Sequence, residues 1–490
     1  MLLTNLLLNV EYTIKNNMDI SNMDIAKIEC DSKRITMGDI FVAIKGYQDD
    51  GNNYIEEAIT KGARCIVIQN DVQVAENPNI VYVVVENTRR ALAQMAINYF
   101  GNPASKLKMI GITGTKGKTT TAYMIRNILA ESGKKVGMIG SIYITYGDKK
   151  FDSERTSPDA LTLQKILYDM VRDGMQYCVM EVSSHALALD RVYGIKFMIG
   201  IFTNLSKDHL DFHPTFEDYF NAKASLFQNV DYALINSDDV YAPKLIKTLK
   251  CKHALYGLDN GSNLTAVDIR INNKYVEFKM YVNKMLRNLV VNMPGRFSVY
   301  NALAAIGTCS LLGCQIDAIE RGLMTTVVPG RSEVVEINKP FTVMIDYAHN
   351  AASLESVILA TKKYARGRVI VVFGCGGDRD KEKRPAMGEV AGKLADFTVI
   401  TTDNPRTESP KKIIADIEAG IKPTKAIYKV VENRKEAIKF AMRIAWRNDI
   451  IILAGKGHET QQILKNKTIY FDERKIVKEI AEQMPDKETL

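Results

Sequence analysis

A lysine and a threonine in succession close a run of small residues, Gly111-Ile112-Thr113-Gly114-Thr115-Lys116-Gly117-Lys118-Thr119-Thr120. An apolar stretch, Met109 to Ile112, leads into the run, and a helical pattern from Lys118 to Ser132 leads out of it. Strand, glycine loop and helix in that order make a phosphate cradle. Backbone N–H groups from Gly114 to Gly117 can close around phosphate oxygens, and the helix N-terminus at Thr119 and Thr120 adds partial positive charge. Lys118 reaches for terminal phosphates and the Thr119 hydroxyl is placed to ligate Mg²⁺. The common pattern has a glycine five places ahead of its Gly-Lys pair, where Ile112 stands here. The match is therefore to the shorter form Gly-Thr-x-Gly-Lys-Thr.

Further candidates lie at the ends of apolar runs. Glu181-Val182-Ser183-Ser184-His185 follows Tyr177 to Met180, where a carboxylate can face the phosphate loop and hold a metal ion, although most such glutamates are solvated turn residues. Asn204-Leu205-Ser206-Lys207-Asp208-His209-Leu210-Asp211 follows Phe197 to Thr203; imidazole with carboxylate suits a second Mg²⁺ or a phosphate, and the plainer alternative is a helix capped at Asp208. Lys223 sits on a helical pattern from Glu217 to Phe227. By composition it reads as a partly snorkelled surface lysine, although a desolvated lysine loses its proton and becomes reactive. Five of the six histidines, 185, 209, 213, 349 and 458, fall in or beside such clusters.

The elements that must position these groups are those of an α/β chain. At 490 residues the chain exceeds one ordinary core, and about three domains are expected. Residues 1–105 hold short apolar runs at 40–44 and 65–68 with a helical stretch near Glu56 to Thr60. From 106 to 331 strands and helices alternate, with Val136 to Ile144 reading as one apolar run and a hairpin-like stretch around Asn272-Asn273. Apolar runs separated by helices predict a mostly parallel, buried sheet. From 332 to 490 four strands run into polar clusters: Tyr347-Ala348-His349-Asn350, Gly374 to Arg379, Asp403-Asn404-Pro405-Arg406 and Gly455-Lys456-Gly457-His458-Glu459. Ligands of open α/β sheets bind beyond the carboxyl ends of strands, so the four clusters are expected to converge on one crevice.

The bulk composition excludes other classes. Hydrophobic residues make up 46% and charged residues 25%, the balance of a folded soluble chain. The +8 charge arises from 65 basic and 57 acidic residues without a basic block, so no nucleic-acid partner is expected and small anionic substrates are weakly favoured. Seven cysteines without a CxxC pair suit a reducing compartment. The apolar opening, Met1 to Leu8, is cut short by Asn9 and Glu11, which predicts a buried first helix rather than a signal peptide or membrane span, and hence a cytoplasmic protein.

In order and spacing these motifs resemble the Mur ligase family. The resemblance runs over nearly the whole chain, from Asp31-Ser32-Lys33 and Gly38-Asp39-Ile40-Phe41-Val42-Ala43, through Gly114 to Thr119, to Asp403–Arg406 and Gly455–Glu459. It implies a uridine-nucleotide domain, a P-loop-type central ATPase domain and a Rossmann-like C-terminal domain. It also implies a reaction in which ATP phosphorylates the terminal carboxylate of a cell-wall precursor and an amine displaces phosphate from the acyl phosphate. By the resemblance, Lys118 and Thr119 hold ATP and Mg²⁺, and Glu181 and His209 are metal ligands. Lys223 matches a lysine that becomes a carbamate, which reverses the surface reading. Asn301, Arg331, Asp346 and His349 match nucleotide contacts brought onto the phosphates by domain closure. Ser32 matches a uridine-end contact, and Thr156, Ser157, Ser183 and Arg191 match contacts to the muramoyl-peptide portion.

Members that add meso-diaminopimelate to UDP-N-acetylmuramoyl-L-alanyl-D-glutamate resemble this chain at Asp403-Asn404-Pro405-Arg406, where Arg406 can pair with the distal carboxylate that L-lysine lacks. Arg379, Gly455 and Glu459 match the remaining contacts to that amino acid. A monomer is expected. The chain departs from the family pattern at Lys33, Lys116 and Ser157, and at Asn350-Ala351-Ala352, which lacks the usual proline. The competing readings are an L-lysine-adding relative, a folylpolyglutamate-type ligase, which needs neither the 31–46 motif nor Arg406, and a non-catalytic nucleotide-binding regulator, which would be expected to lose some of Glu181, His209 and Lys223.

Overall fold

The computed structural model describes residues 1–15, 18–46, 49–75, 77–259, 261–282 and 285–485. Two compact units make up the chain, Met1–Tyr256 and Gly257–Leu490.

The first unit holds two sheets. The apolar opening forms the short helix Leu3–Leu6, with Leu3 and Leu6 fully buried against Val42, Val67 and Val83. Those valines belong to strands Ile40–Val42, Cys65–Gln69 and Val81–Val85, the parallel centre of a sheet completed by Ile28–Glu29 and, antiparallel, Thr13–Ile14. Helix Thr88–Tyr99 follows, its first N–H groups capped by Asn87 Oδ1. It packs on helix Ala160–Arg172, whose Leu161 joins the core of the N-terminal sheet.

The second sheet has Lys108–Thr113 at its centre, flanked by Tyr177–Glu181 and Phe197–Phe202, with Val136–Ile139 beyond the first and Val230–Asn236 then Lys252–Gly257 beyond the other. All six are parallel, and the central three are almost wholly buried, as continuous apolar runs require. Val136 to Ile144 is not one element. The chain turns at Gly140-Ser141 and returns as Tyr143–Tyr146, antiparallel to Val136–Ile139. A third strand, Lys149–Asp152, pairs antiparallel with Tyr143–Tyr146. The reason is a distant carboxylate: a Cβ at Gly140 would stand 2.5 Å from Glu181 Oε1, and the Ser141 N–H donates to that oxygen at 2.8 Å, so the strand ends where Glu181 approaches.

In the second unit, the stretch about Asn272-Asn273 is the turn of a three-stranded antiparallel sheet, Val267–Ile271, Val276–Val282 and Met285–Val291. Asn272 Oδ1 accepts from the Lys274 and Tyr275 N–H groups and closes the turn. Helix Arg296–Leu311 follows Pro294-Gly295 and is apolar nearly all round, hence buried. The last sheet runs Glu333–Val335, Thr342–Asp346, Ile450–Ala454, Val369–Phe373, Phe397–Ile400, Tyr428–Val430, parallel except for its first strand. Its central strands share one carboxyl end, so the polar clusters that follow them fall side by side. Among the described residues no helix is long and apolar enough to cross a membrane.

Candidate active site

The loop 114–117 is held from outside by the strand end at 203–206. Thr203 Oγ1 donates to Lys116 O at 2.7 Å, Asn204 Oδ1 accepts from Lys116 N at 2.9 Å, and Thr115 N donates to Asn204 O at 2.8 Å. Gly114 has φ +145°, and a Cβ there would lie 1.9 Å from Thr203 Oγ1. Gly117, at φ +86°, opens helix Lys118–Glu131. Lys118 Nζ folds back to donate to Gly114 O at 2.8 Å and Thr115 O at 3.0 Å, arching over the loop. Gly114→Ala is expected to weaken nucleotide binding about tenfold or more, because the backbone must move to accept the methyl. Gly133→Ala is the control: also at positive φ but with no atom within 4 Å, it should leave nucleotide affinity, measured by titration calorimetry, unchanged.

Glu181 is the last residue of its strand and is buried, not a solvated turn residue. Its Oε2 accepts from Thr119 Oγ1 at 2.8 Å and Ser141 Oγ at 3.1 Å, and its Oε1 from Ser141 N at 2.8 Å. Ser141 Oγ stands 3.0 Å from Thr156 Oγ1. Ser157 Oγ donates to Glu181 O at 2.9 Å and accepts from Ser183 N at 3.1 Å, while Arg191 Nη1 donates to Ser157 O at 3.0 Å. Thr119, Glu181, Thr156, Ser157, Ser183 and Arg191 are thus one connected group. Sequence reasoning missed Ser141, the hinge of this network; the Gly-Ser pair inside an apolar run was its only signal.

Lys223 is buried, 2% exposed, on helix Phe216–Ala224. The helix starts at Thr215 with a capping box to Asp218, so the alternative start at Asp208 is wrong: 204–214 is a loop that Thr215 terminates. The surface reading of Lys223 by composition also fails, because the helix face that carries it packs under the phosphate loop. Its Nζ donates to Gly114 O at 3.0 Å and lies 4.5 Å above the Tyr219 ring. Burial, then the nearby Lys118 ammonium, push its pKa well below the ordinary lysine value. Tyr219 also reaches Thr115 Oγ1 at 3.1 Å.

His209 has φ +53° and packs edge-on to His185 at 4.8 Å between ring centroids. His213, buried, lies 5.1 Å from the Tyr219 ring. Burial lowers all three imidazoles, His185 to about 4, so they are neutral near pH 7, the form that ligates metals. Among the described residues no three His, Cys, Asp or Glu side chains converge on one point. The Thr119 hydroxyl and Glu181 carboxylate are adjacent hard-oxygen donors, which fits Mg²⁺ completed by phosphate oxygens and water.

In the second unit the four polar clusters meet at the carboxyl ends of their strands. Asn404 Nδ2 donates to Glu459 Oε2 at 2.8 Å, Arg406 Nη1 donates to Gly377 O at 2.8 Å, and Tyr347 stacks 5.0 Å from His458. Gly455, at φ +110°, passes so close to Asp403 that a Cβ would lie 2.8 Å from its Oδ2. Arg379 is exposed beside Gly376. Asp346 accepts from Ser332 N and Ala348 N at 2.8 and 2.9 Å and burial raises its pKa. Arg331 lies over the Tyr347 ring at 5.0 Å and His349 is exposed, with Nδ1 2.8 Å from Tyr347 O. Asn301 is buried on helix Arg296–Leu311. Ser32, which opens the short helical turn Ser32–Arg34 after strand Ile28–Glu29, donates to Glu57 Oε2 at 2.6 Å. Three buried cations were missed: Arg384, joined to Glu408 at 2.7 Å and Asp416 at 2.9 Å; Arg434, joined to Glu473 at 2.8 Å and Ala454 O at 2.9 Å; and Lys456, inside a motif whose neighbours were chosen. No local pattern marks Arg434, whose partner Glu473 is 39 residues away.

Three family descriptions match the chain: Mur ligase family, catalytic domain, over residues 24–100; Mur ligase middle domain over 112–309; and Mur ligase, glutamate ligase domain, over 330–457. The chain is 48% identical over 466 residues to UDP-N-acetylmuramoyl-L-alanyl-D-glutamate--2,6-diaminopimelate ligase 1 of Clostridium acetobutylicum, covering 94% of this chain and 96% of that one. It is 47% identical over 492 residues to the ligase of the same activity name from Clostridium tetani, covering 99% and 100%. A solved structure of a UDP-N-acetylmuramoyl-L-alanyl-D-glutamate--2,6-diaminopimelate ligase superposes with a TM-score of 0.70 at 29% identity over 95% of this chain and 96% of the other. Folylpolyglutamate synthase of Mycobacterium tuberculosis shares the fold at 18% identity and a TM-score of 0.59, over 75% of this chain and 92% of that one.

Proposed function

The chain belongs to the Mur ligase family, and from that premise we propose that it is an ATP-dependent ligase joining meso-diaminopimelate to UDP-N-acetylmuramoyl-L-alanyl-D-glutamate in peptidoglycan synthesis. The observation that carries the reading is the buried, deprotonation-prone Lys223 bonded to the same carbonyl, Gly114 O, as the phosphate-loop Lys118. A nucleotide-binding regulator has no use for a second lysine desolvated there.

In this reading residues 1–105 bind the uridine precursor, 106–331 bind ATP and 332–490 bind the amino acid. The Gly114–Thr120 loop holds the triphosphate, with Lys118 on its terminal phosphates, and Asn301, Arg331, Asp346 and His349 are assigned to the nucleotide as well. The precursor is held by Ser32, Thr156, Ser157, Ser183 and Arg191, which aim its terminal carboxylate at the γ-phosphorus. Transfer gives ADP and an acyl phosphate. Thr119, Glu181, His209 and the carbamate of Lys223 would hold Mg²⁺, which would supply charge compensation to the phosphoryl oxygens. Lys223 forms that carbamate because a neutral amine takes up CO₂ and releases one proton, turning a potential cation into an anion. Arg379, Asp403, Asn404, Arg406, Gly455 and Glu459 hold the amino acid while its amine attacks the acyl carbon, phosphate leaves and the amine proton passes to solvent. The reaction is assigned to a monomer in the cytoplasm.

The test is phosphate release by the purified chain with ATP, Mg²⁺ and UDP-N-acetylmuramoyl-L-alanyl-D-glutamate. Meso-diaminopimelate is expected to stimulate release and L-lysine is not. Stimulation by lysine alone would keep the ligase and discard the choice of amino acid; stimulation by neither would discard the ligase.

A further inference from the structure

A lysine between two glycines looks built for phosphate, yet Lys456 faces the other way. Gly455 and Gly457 have φ of +110° and +54°, and a Cβ at either would lie within 3 Å of a wall of the crevice, Asp403 Oδ2 at 2.8 Å or Tyr347 Cβ at 2.7 Å. The backbone is pressed between those walls, and the side chain leaves it inward, fully buried. Its Nζ donates to Gln461 O at 2.6 Å, Asn404 Oδ1 at 3.1 Å and Glu459 Oε2 at 3.1 Å. An ammonium has three N–H donors, so all are engaged within the protein and none remains for a ligand.

Those three bonds fix two other side chains. Asn404 Oδ1 accepts from Lys456 and from Ile463 N at 3.1 Å, so the amide cannot turn over without setting N–H against two donors; its Nδ2 must then point at Glu459. On Glu459 both bonds fall on Oε2, and Oε1 receives none among the described residues, in a side chain one-third exposed to the crevice.

We infer that Lys456 is a positioning residue for selection of the incoming amino acid. It locks Asn404 and Glu459 in one arrangement and leaves Glu459 Oε1 as the acceptor for an ammonium group of that substrate. The inference rests on the reading above that this crevice takes an amino acid. Without Lys456, Glu459 is tethered only by an amide that the single bond from Ile463 N orients, and the buried side of its carboxylate loses its counter-charge.

Lys456→Met should raise KM for the amino acid about 10- to 100-fold, the usual effect of removing a partner that orients a binding group, while KM for ATP and for the uridine precursor stays constant. Lys456→Arg, which keeps the charge, should recover part of the loss. A thermal melt checks each variant; if Lys456→Met does not fold, Lys456→Arg against wild type is the comparison, with a raised amino-acid KM expected and an unchanged one overturning the inference. A double-mutant cycle separates positioning from general damage: Glu459→Gln should raise the amino-acid KM in wild type and add little in the Lys456→Met background. Additive effects, or equal losses for all three substrates, overturn the inference. If no amino acid stimulates the wild-type chain, the ligase reading falls and this inference with it; if one does and its KM ignores Lys456, this inference falls alone.

Discussion

Lys223→Ala lowers ligation by about a hundredfold to a thousandfold, and added formate or another short carboxylate restores part of the rate. The expectation follows from where the amine sits. It is 2% exposed, 3.0 Å from the Gly114 carbonyl oxygen, and burial with the neighbouring Lys118 favours its neutral form. In the proposed mechanism a neutral amine in that position adds CO₂, and the resulting anion would face the phosphate loop. Removing a fixed charge aimed at a reacting centre costs about two to three orders of magnitude in other enzymes. Alanine also leaves a space that a small carboxylate can enter, whereas Lys223→Arg keeps a permanent cation and leaves no such space. Rescue is therefore expected for alanine and absent for arginine, measured as phosphate release over a formate titration. Undiminished turnover by Lys223→Ala would remove the lysine from the mechanism.

Arg406→Ala weakens meso-diaminopimelate by about 2 to 5 kcal/mol, a loss of tens- to thousands-fold in KM. Arg406 lies at φ +51°, with its N–H on Ile463 O and one guanidinium N–H on Gly377 O. Anchored at those two points, the fork keeps its remaining donors for a carboxylate, and none of them makes a hydrogen bond among the described residues. L-lysine has no distal carboxylate, so its KM should change little. The discrimination between the two amino acids should narrow by the same factor as the KM for diaminopimelate rises. Competition assays of both amino acids against wild type and variant measure it directly, and an unchanged ratio would show that Arg406 is not what reads the second carboxylate.

The parts of this site that were legible in the sequence are those whose chemistry is local. Strand, glycine loop and helix between 109 and 132 are contiguous, so the phosphate loop could be read from order alone. The crevice after residue 346 was legible because a parallel sheet brings the carboxyl ends of its strands together whatever the helices between them do. Lys223 was not legible from its neighbours: a lysine beside Phe220, Leu226 and Phe227 has the composition of a snorkelling surface residue, and only the packing of its helix under residue 114 removes it from water. The break at Gly140-Ser141 was hidden for a related reason. Its cause is a carboxylate 40 residues further on, and apolar patterning carries no record of that approach. Arg434 with Glu473 is the extreme case, a buried pair joined across the domain whose two segments each read as the start of an ordinary amphipathic helix.

Glu181 has a consequence beyond holding its neighbours still. Its carboxylate already accepts from Thr119, at the head of the phosphate-loop helix, and twice from Ser141, whose hydroxyl also meets Thr156. A cation that draws on Oε2, whose two lone pairs already accept from Thr119 and Ser141, must loosen one of those bonds, and a ligand that takes up the Thr156 hydroxyl alters the Ser141 hydroxyl in turn. The two events share one set of protons and lone pairs. Their affinities are therefore linked, and by thermodynamic reciprocity whatever factor the first ligand imposes on the second, the second imposes on the first. Order of addition becomes a property of a four-residue hydrogen-bond chain, without any movement of one domain on another.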